Sequence, residues 1–165
     1  MSNEVAHKQW WQIFEVVFGI PFLAAILLQL AVPLALPSTV LTPAIIAGGA
    51  TLIIAGVTLV VLARREFAQR GQPTDPGLST STLVTSGVFA VSRNPLYLGG
   101  VCVLLGIALA VNLPWVLGLL VPSLIACHFV LIVPEEQYLA ATFGEEYRRY
   151  AAAVHRWIGR VRRRE

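Results

Sequence analysis

The residues best placed to do chemistry in this chain are Arg93-Asn94-Pro95 and Glu136. Arg93 is the last charge before a 41-residue block without Asp, Glu, Lys or Arg, and Glu135-Glu136 are the first charges after it. Proline suits the first turn of a helix and pushes the residue before it out of the helical region. Asn94 is therefore expected to cap a helix that begins at Pro95. The free N–H groups of that helix start, beside the Arg93 guanidinium, would hold a carboxylate or a phosphate. A second reading stands next to it, with Arg93 as an interfacial anchor whose stem lies along apolar surface. Glu136 shares a helical stripe with apolar residues at the edge of that block. A carboxylate there needs a partner or an aqueous cavity, which makes it a functional candidate. Arg93 is the expected partner if the block folds back to its starting side; a plain acid at a helix N-terminus is the alternative.

The elements that must position these residues follow from composition. Of 165 residues, 56% are hydrophobic and only 13% charged, with a mean hydropathy of +0.72. Soluble domains carry about a quarter charged residues, and disordered chains lack apolar surface to bury, so both classes are excluded. A second uncharged block of 48 residues runs between Glu15 and Arg64. About 20 apolar residues cross the hydrocarbon core as a helix, so each block holds two crossings. Pro33, Pro37, Ser38, Thr39 and Pro43 interrupt the first block, and Asn112-Leu113-Pro114 the second. The expected spans are 16–32, 44–63, 96–111 and 115–133. The third is short at about 16 residues and tilts little, thins the bilayer, or stops short of a full crossing. The last two form a tight antiparallel hairpin. Glycines 48, 49, 56, 99, 100 and 106 are expected at packing faces, where they let helices approach closely.

All twelve Lys and Arg residues fall on one side of a four-span arrangement, and the two short connections carry none. The positive-inside rule makes that side the cytoplasm and puts both termini there. The net charge of +3 is then a topology signal, and no nucleic-acid partner is expected. The apolar run after Glu15 is too long for a signal-peptide core and has only Lys8 before it, so it reads as a span. Cys102 and Cys127 lie in mid-span without metal-ligand or disulfide spacing, and no metal site is expected. Among the remaining residues, 134–159 read as a C-terminal interfacial helix or helix pair. Leu139, Phe143, Tyr147, Tyr150, Val154 and Trp157 form its apolar stripe, while Glu145, Arg148, Arg149 and Arg156 are left to solvent and headgroups. Gly144 leaves open whether it is one helix or two. The fold class expected is all-α and multi-pass, a single membrane domain over 1–165. Its first two spans occupy 1–63, a cytoplasmic loop 64–95, and the chemistry 82–158.

At these residues the sequence resembles the membrane methyltransferases that include isoprenylcysteine carboxyl methyltransferases and phospholipid N-methyltransferases. One family signature is filled by Gly87, Phe89, Arg93, Asn94, Pro95, Tyr97 and Gly99. A second is filled by Glu136, Leu139, Phe143, Gly144, Tyr147 and Tyr150, followed by His155-Arg156-Trp157-Ile158. The carboxyl methyltransferases usually have His where this chain has Asn94, whereas the phospholipid branch often has Asn. A Gly-x-Gly signature of the phospholipid branch is not evident before the first motif.

The resemblance implies an S-adenosylmethionine-dependent methyltransferase with no Rossmann domain, whose lipophilic or lipid substrate enters from the bilayer. Carried over, Arg93, Asn94, Pro95, Tyr97, Glu136 and Tyr147 would line the cofactor pocket, with Arg93 and Glu136 serving catalysis. Displacement at a sulfonium needs no metal, and positioning with electrostatics supplies most of the rate. The leading expectation, which rests on the two motifs, is a carboxyl methyltransferase-like enzyme, and a carboxylate acceptor needs no base. An amine acceptor such as a phospholipid headgroup would need one, and Glu136 is then the candidate. A membrane scaffold without enzymatic activity is the third expectation, and it predicts indifference to substitution of Arg93 or Glu136.

Overall fold

The computed structural model describes residues 13–37, 42–73 and 80–161. Lys8, Ser38, Thr39 and Arg162–Arg164 lie outside the described residues. The fold is all-helical: α1 (Phe14–Ala31), α2 (Thr42–Gln69), a short 3₁₀ turn (Gly87–Ala90), α3 (Pro95–Ala110), α4 (Pro114–Ala126), a π-helical turn (Cys127–Ile132) and α5 (Val133–Ala153). Three helices are long and apolar enough to cross a membrane: Phe14–Ala31, Thr42–Gln69 and the continuous run Pro114–Ala153. The other expected span, α3, has 16 residues. At 1.5 Å per residue it is about 24 Å long, short of the roughly 30 Å hydrocarbon core.

α2 packs chiefly on α3, and α1 on α4, with α3 and α4 joined as the expected hairpin. Asn112 has φ +56°, a left-handed conformation that asparagine tolerates better than most residues, and it lets the chain reverse within three residues. Its side chain accepts from Leu36 N at 2.8 Å, and Trp115 Nε1 donates to Val32 O at 2.9 Å. The hairpin turn is thereby tied to the chain leaving α1, and both connections lie at one end of the bundle. All described arginines lie at the opposite end, in or directly after the C-terminal part of α2 or in segments 93 and 148–160.

The lateral faces are apolar and outward. Ile20, Leu23, Leu27 and Leu30 on α1 are 60–76% exposed, as are Ile54 on α2 and Phe129 in the π turn at 68% and 66%. Surface of this kind on a monomeric chain marks contact with lipid or a partner. The buried core is thin and sits between helices: Phe18, Cys127, Leu131 and Ile132 in one cluster, Ala25, Ala108 and Val116 in another.

Of the six glycines expected at packing faces, five serve there. A Cβ on Gly49 would lie 2.7 Å from Gly106 O, and one on Gly106 would lie 2.6 Å from Gly49 O. Gly56 and Gly99 form a matching pair, with 2.5 Å and 2.8 Å to each other's carbonyl oxygens. The two pairs are seven residues apart on each helix, so α2 and α3 touch backbone to backbone across two turns. Gly100 packs on the other side of α3, against the Phe14 ring of α1, and Gly48 alone of the six faces open space.

Three boundaries differ from those read in the sequence. α2 does not end at Ala63 but runs to Gln69, because Arg64 and Arg65 end an apolar stretch without ending a helix. An Arg70–Glu66 ion pair at 2.6 Å supports the extra turn. Pro43 belongs to the first turn of α2 and not to the connection. The fourth span does not stop before Pro134. Proline withholds the N–H that would bond Val130 O, and the chain absorbs this by widening into the π turn directly before it. The span and the C-terminal helix are therefore one run as far as Gly144.

At Gly144 the helix does split, with φ +54° and ψ −121° inside α5. A Cβ there would meet nothing within 4 Å, so glycine is required by conformation and not by space. Gly144→Ala is expected to cost about 1–3 kcal/mol and to lower the melting temperature in detergent. An unchanged melting temperature would show that the break is not imposed on the chain.

Candidate active site

The site is assembled from the segment before α3, from α5 and from the loop that follows α5. Gly87, with φ +58°, starts the 3₁₀ turn, and a side chain there would collide with Glu66. Glu66 holds this turn to the end of α2 through Ser86 Oγ (3.0 Å) and Arg70, and Arg70 also bonds Ser86. Tyr150 donates its hydroxyl to Phe89 O at 2.7 Å. Beyond α5 the chain becomes extended at Val154 and folds on itself, with a Val154↔Arg160 bridge and His155 N donating to Gly159 O at 2.8 Å. This loop lies along residues 91–93: Gly159 N donates to Val91 O at 2.8 Å and Arg93 N to His155 O at 3.1 Å. Backbone bonds thus fasten together two segments some sixty residues apart.

The fastening brings four polar side chains into one cluster. Arg93 Nη1 stands 3.1 Å from Glu136 Oε1 and donates to Tyr147 Oη at 3.2 Å. Arg156 grips the same Glu136 in a fork, Nε to Oε1 at 2.9 Å and Nη2 to Oε2 at 2.7 Å. The side chains of Arg93, Glu136 and Arg156 are 14%, 19% and 34% exposed, so the pairs are sheltered and not surface pairs. The Glu136 bond pushes the Arg156 guanidinium above its ordinary range. Two guanidiniums share one carboxylate, leaving positive charge to spare. Arg93 Nε is buried without a hydrogen-bond partner among the described residues. A buried orphan donor on a cation is costly, and a polar ligand accepting from it would remove that cost.

Each residue singled out in the sequence has a definite place. Arg93, Glu136 and Tyr147 meet, and the hairpin does return the chain so that Arg93 pairs with Glu136. Asn94 is buried at the cap position of α3 but makes no capping bond. Its amide instead donates to Arg156 O at 3.0 Å, fixing the loop that presents Arg156. The amide is thus spent on the loop and not on the N–H groups that open α3. Pro95 opens α3 and is fully buried. Tyr97 does not join the cluster. Its hydroxyl donates to Glu135 Oε2 at 2.9 Å, and its ring stacks on Phe14.

Arg156 is the residue that sequence reasoning misplaced, having assigned it to solvent. Helical phase carried past Val154 points it outward, but the helix ends there and the extended turn sends it back over Glu136. Its place directly after the second motif was the available signal. Asn94→Ala is expected to lower stability by about 1 kcal/mol through loss of the Arg156 tether. It should also weaken anion binding at the cluster, which calorimetry on the purified protein reads directly.

A family model described as phospholipid methyltransferase matches residues 44–146. That range runs from the start of α2 through the site residues Arg93, Asn94 and Glu136. It also takes in all but the first two residues of α2, which lies outside both motifs. No curated protein and no solved structure matches the chain. The match covers well over half of the sequence, and the helical architecture with apolar lateral faces agrees with it. The chain belongs to the phospholipid methyltransferase family, a family of membrane methyltransferases.

Proposed function

We propose that this protein transfers a methyl group from S-adenosylmethionine to the carboxylate of a lipophilic acceptor drawn from the bilayer, at the cluster of Arg93, Glu136, Tyr147 and Arg156. The bound cofactor supplies an electrophilic methyl group on a sulfonium. The chain's residues bind, orient and shield. Arg93 has the orphaned Nε that fits the cofactor's carboxylate, and a tyrosine face at Tyr147 suits a sulfonium cation. Asn94 and Pro95 set the start of α3 beside them, while Tyr97 acts one turn away by packing and by its bond to Glu135. The basic end of the bundle, with both termini, faces the cytoplasm in this reading, as the positive-inside rule requires.

One observation favours a carboxylate acceptor over an amine. Both oxygens of Glu136 are occupied by charge-assisted contacts from two arginines, so neither is left facing an incoming amine. An amine must lose a proton during methylation, whereas a carboxylate need not. The test uses protein purified in detergent. Binding of S-adenosylmethionine is measured first, and labelled cofactor is then offered with prenylated cysteines, phosphatidylethanolamine and small lipophilic acids. Binding that Arg93→Ala removes, with label on the carboxylate compounds, is the expected result. Label on the phospholipid alone overturns the acceptor class, and absence of cofactor binding in several detergents and lipids overturns the reading as a whole.

A further inference from the structure

A groove of about 470 Å³ lies beside the polar cluster, between α3 and the junction of α4 with the π turn. Its volume falls within the roughly 300–1,000 Å³ of small-molecule sites. Its walls are Leu98 and Val101 from α3, and Leu124, Ile125 and Phe129 from the facing helix. Ile125 and Phe129 are 55% and 66% exposed, and Val121, one turn earlier on the same stripe, is 60% exposed. The groove is therefore continuous with an apolar face of the bundle. Trp157 closes the upper end, and it follows Arg156, the residue that grips Glu136. Leu98 lies one turn beyond Asn94 on the same face of α3. The groove thus begins where the polar cluster ends.

One polar side chain interrupts this lining. His128 sits in the π turn, its imidazole set edge-on to the Phe129 ring at a centroid distance of 4.8 Å. It makes no side-chain hydrogen bond among the described residues. A π turn is a common device at functional sites, where it redirects side chains that a regular helix would place elsewhere. The half-buried imidazole therefore keeps its ring nitrogens available to a ligand in the groove.

We propose that this groove binds the acceptor's hydrocarbon chain and that His128 hydrogen-bonds the acceptor's polar end, which makes His128 a specificity-determining residue of the methyl transfer. The occupant is a single-chain lipophilic acid. Its chain lies against Leu98, Val101 and Leu124, and its carboxylate is directed past His128 toward the surplus positive charge at Arg93 and Arg156. The proposal rests on the methyltransferase reading for its purpose but not for its detection.

Trp157 serves as the reporter. In the full chain carrying Trp10→Phe, Trp11→Phe and Trp115→Phe, a chain-brominated fatty acid should quench Trp157 fluorescence saturably. Val101→Phe, which narrows the groove, should raise the half-saturating concentration and the acceptor KM about tenfold, leaving cofactor affinity within twofold. His128→Phe should raise KM about fivefold, and His128→Gln, which keeps a donor and an acceptor, should restore most of it. Saturable quenching unaffected by Val101→Phe overturns the groove assignment, as does saturable quenching by a brominated diacyl phospholipid alone. Equal KM for the Phe and Gln variants of His128 overturns its role. Saturable quenching in a protein that binds no S-adenosylmethionine leaves the acid site standing and removes the methyltransferase reading, so the two fail separately.

Discussion

Glu136→Ala is expected to abolish methyl transfer and to lower stability by about 3 kcal/mol, the lower end of the range for breaking a buried ion pair. The carboxylate stands between Arg93 and Arg156, and no other acid is paired with either guanidinium among the described residues. Without it two sheltered like charges face each other, and the loop holding Arg156 keeps only its backbone bonds and the Asn94 amide. At this chain length the loss corresponds to a fall of about 6–12 °C in melting temperature. Glu136→Gln separates charge from shape. It retains an acceptor for one arginine, so it should recover part of the stability and little of the cofactor affinity. The measurements are thermal unfolding in detergent and calorimetric titration with S-adenosylmethionine. A Glu136→Ala protein that melts with the parent would sink the view that this cluster holds the two motif segments together.

The second large effect lies far from the cluster. Gly56→Val and Gly106→Val are each expected to cost about 2–3 kcal/mol, the upper part of the overpacking range. In both, the new Cβ would stand 2.5–2.6 Å from a backbone carbonyl oxygen of the opposing helix. Backbone oxygens cannot swing aside as a side-chain end can, so α2 and α3 must separate along their length. Because α3 carries Asn94 and Pro95 at its start, separation also shifts the first motif, and activity should fall with stability. Gly48→Ala is the matched control: nothing lies within 4 Å of its Cβ position, and alanine improves helix propensity by up to about 1 kcal/mol. Equal melting temperatures for Gly48→Ala and Gly56→Val would refute the backbone-contact account of the α2–α3 interface.

Much of the molecule was legible in the order of residues. A membrane imposes the hardest constraint a sequence can carry, because an unpaired charge or backbone group in hydrocarbon costs so much. Two long uncharged blocks, each broken near its middle by prolines or Asn112-Leu113-Pro114, therefore reported the helices and the hairpin almost directly. The Arg93–Glu136 pairing was legible for the same reason, since a block that leaves and returns must bring its flanking charges to one side. Local chemistry was less secure where two local solutions compete. Asn94 had the position of a cap, but its amide bonds the Arg156 carbonyl instead. Pro134 had the position of a helix start, but a π turn let the helix continue through it.

Sequence alone thus determined that this is an all-helical membrane chain with a likeness to membrane methyltransferases in its C-terminal half. Tertiary structure decided which glycines touch, that Arg156 and not Tyr97 completes the cluster around Glu136, and that a groove holding His128 opens beside it. The division has a physical cause. Burial in lipid is a property of each residue and is written locally, residue by residue. The direction of Arg156 depends on where a helix ends and on bonds from Val91 and Arg93 some sixty residues away, and no periodicity in the chain encodes those.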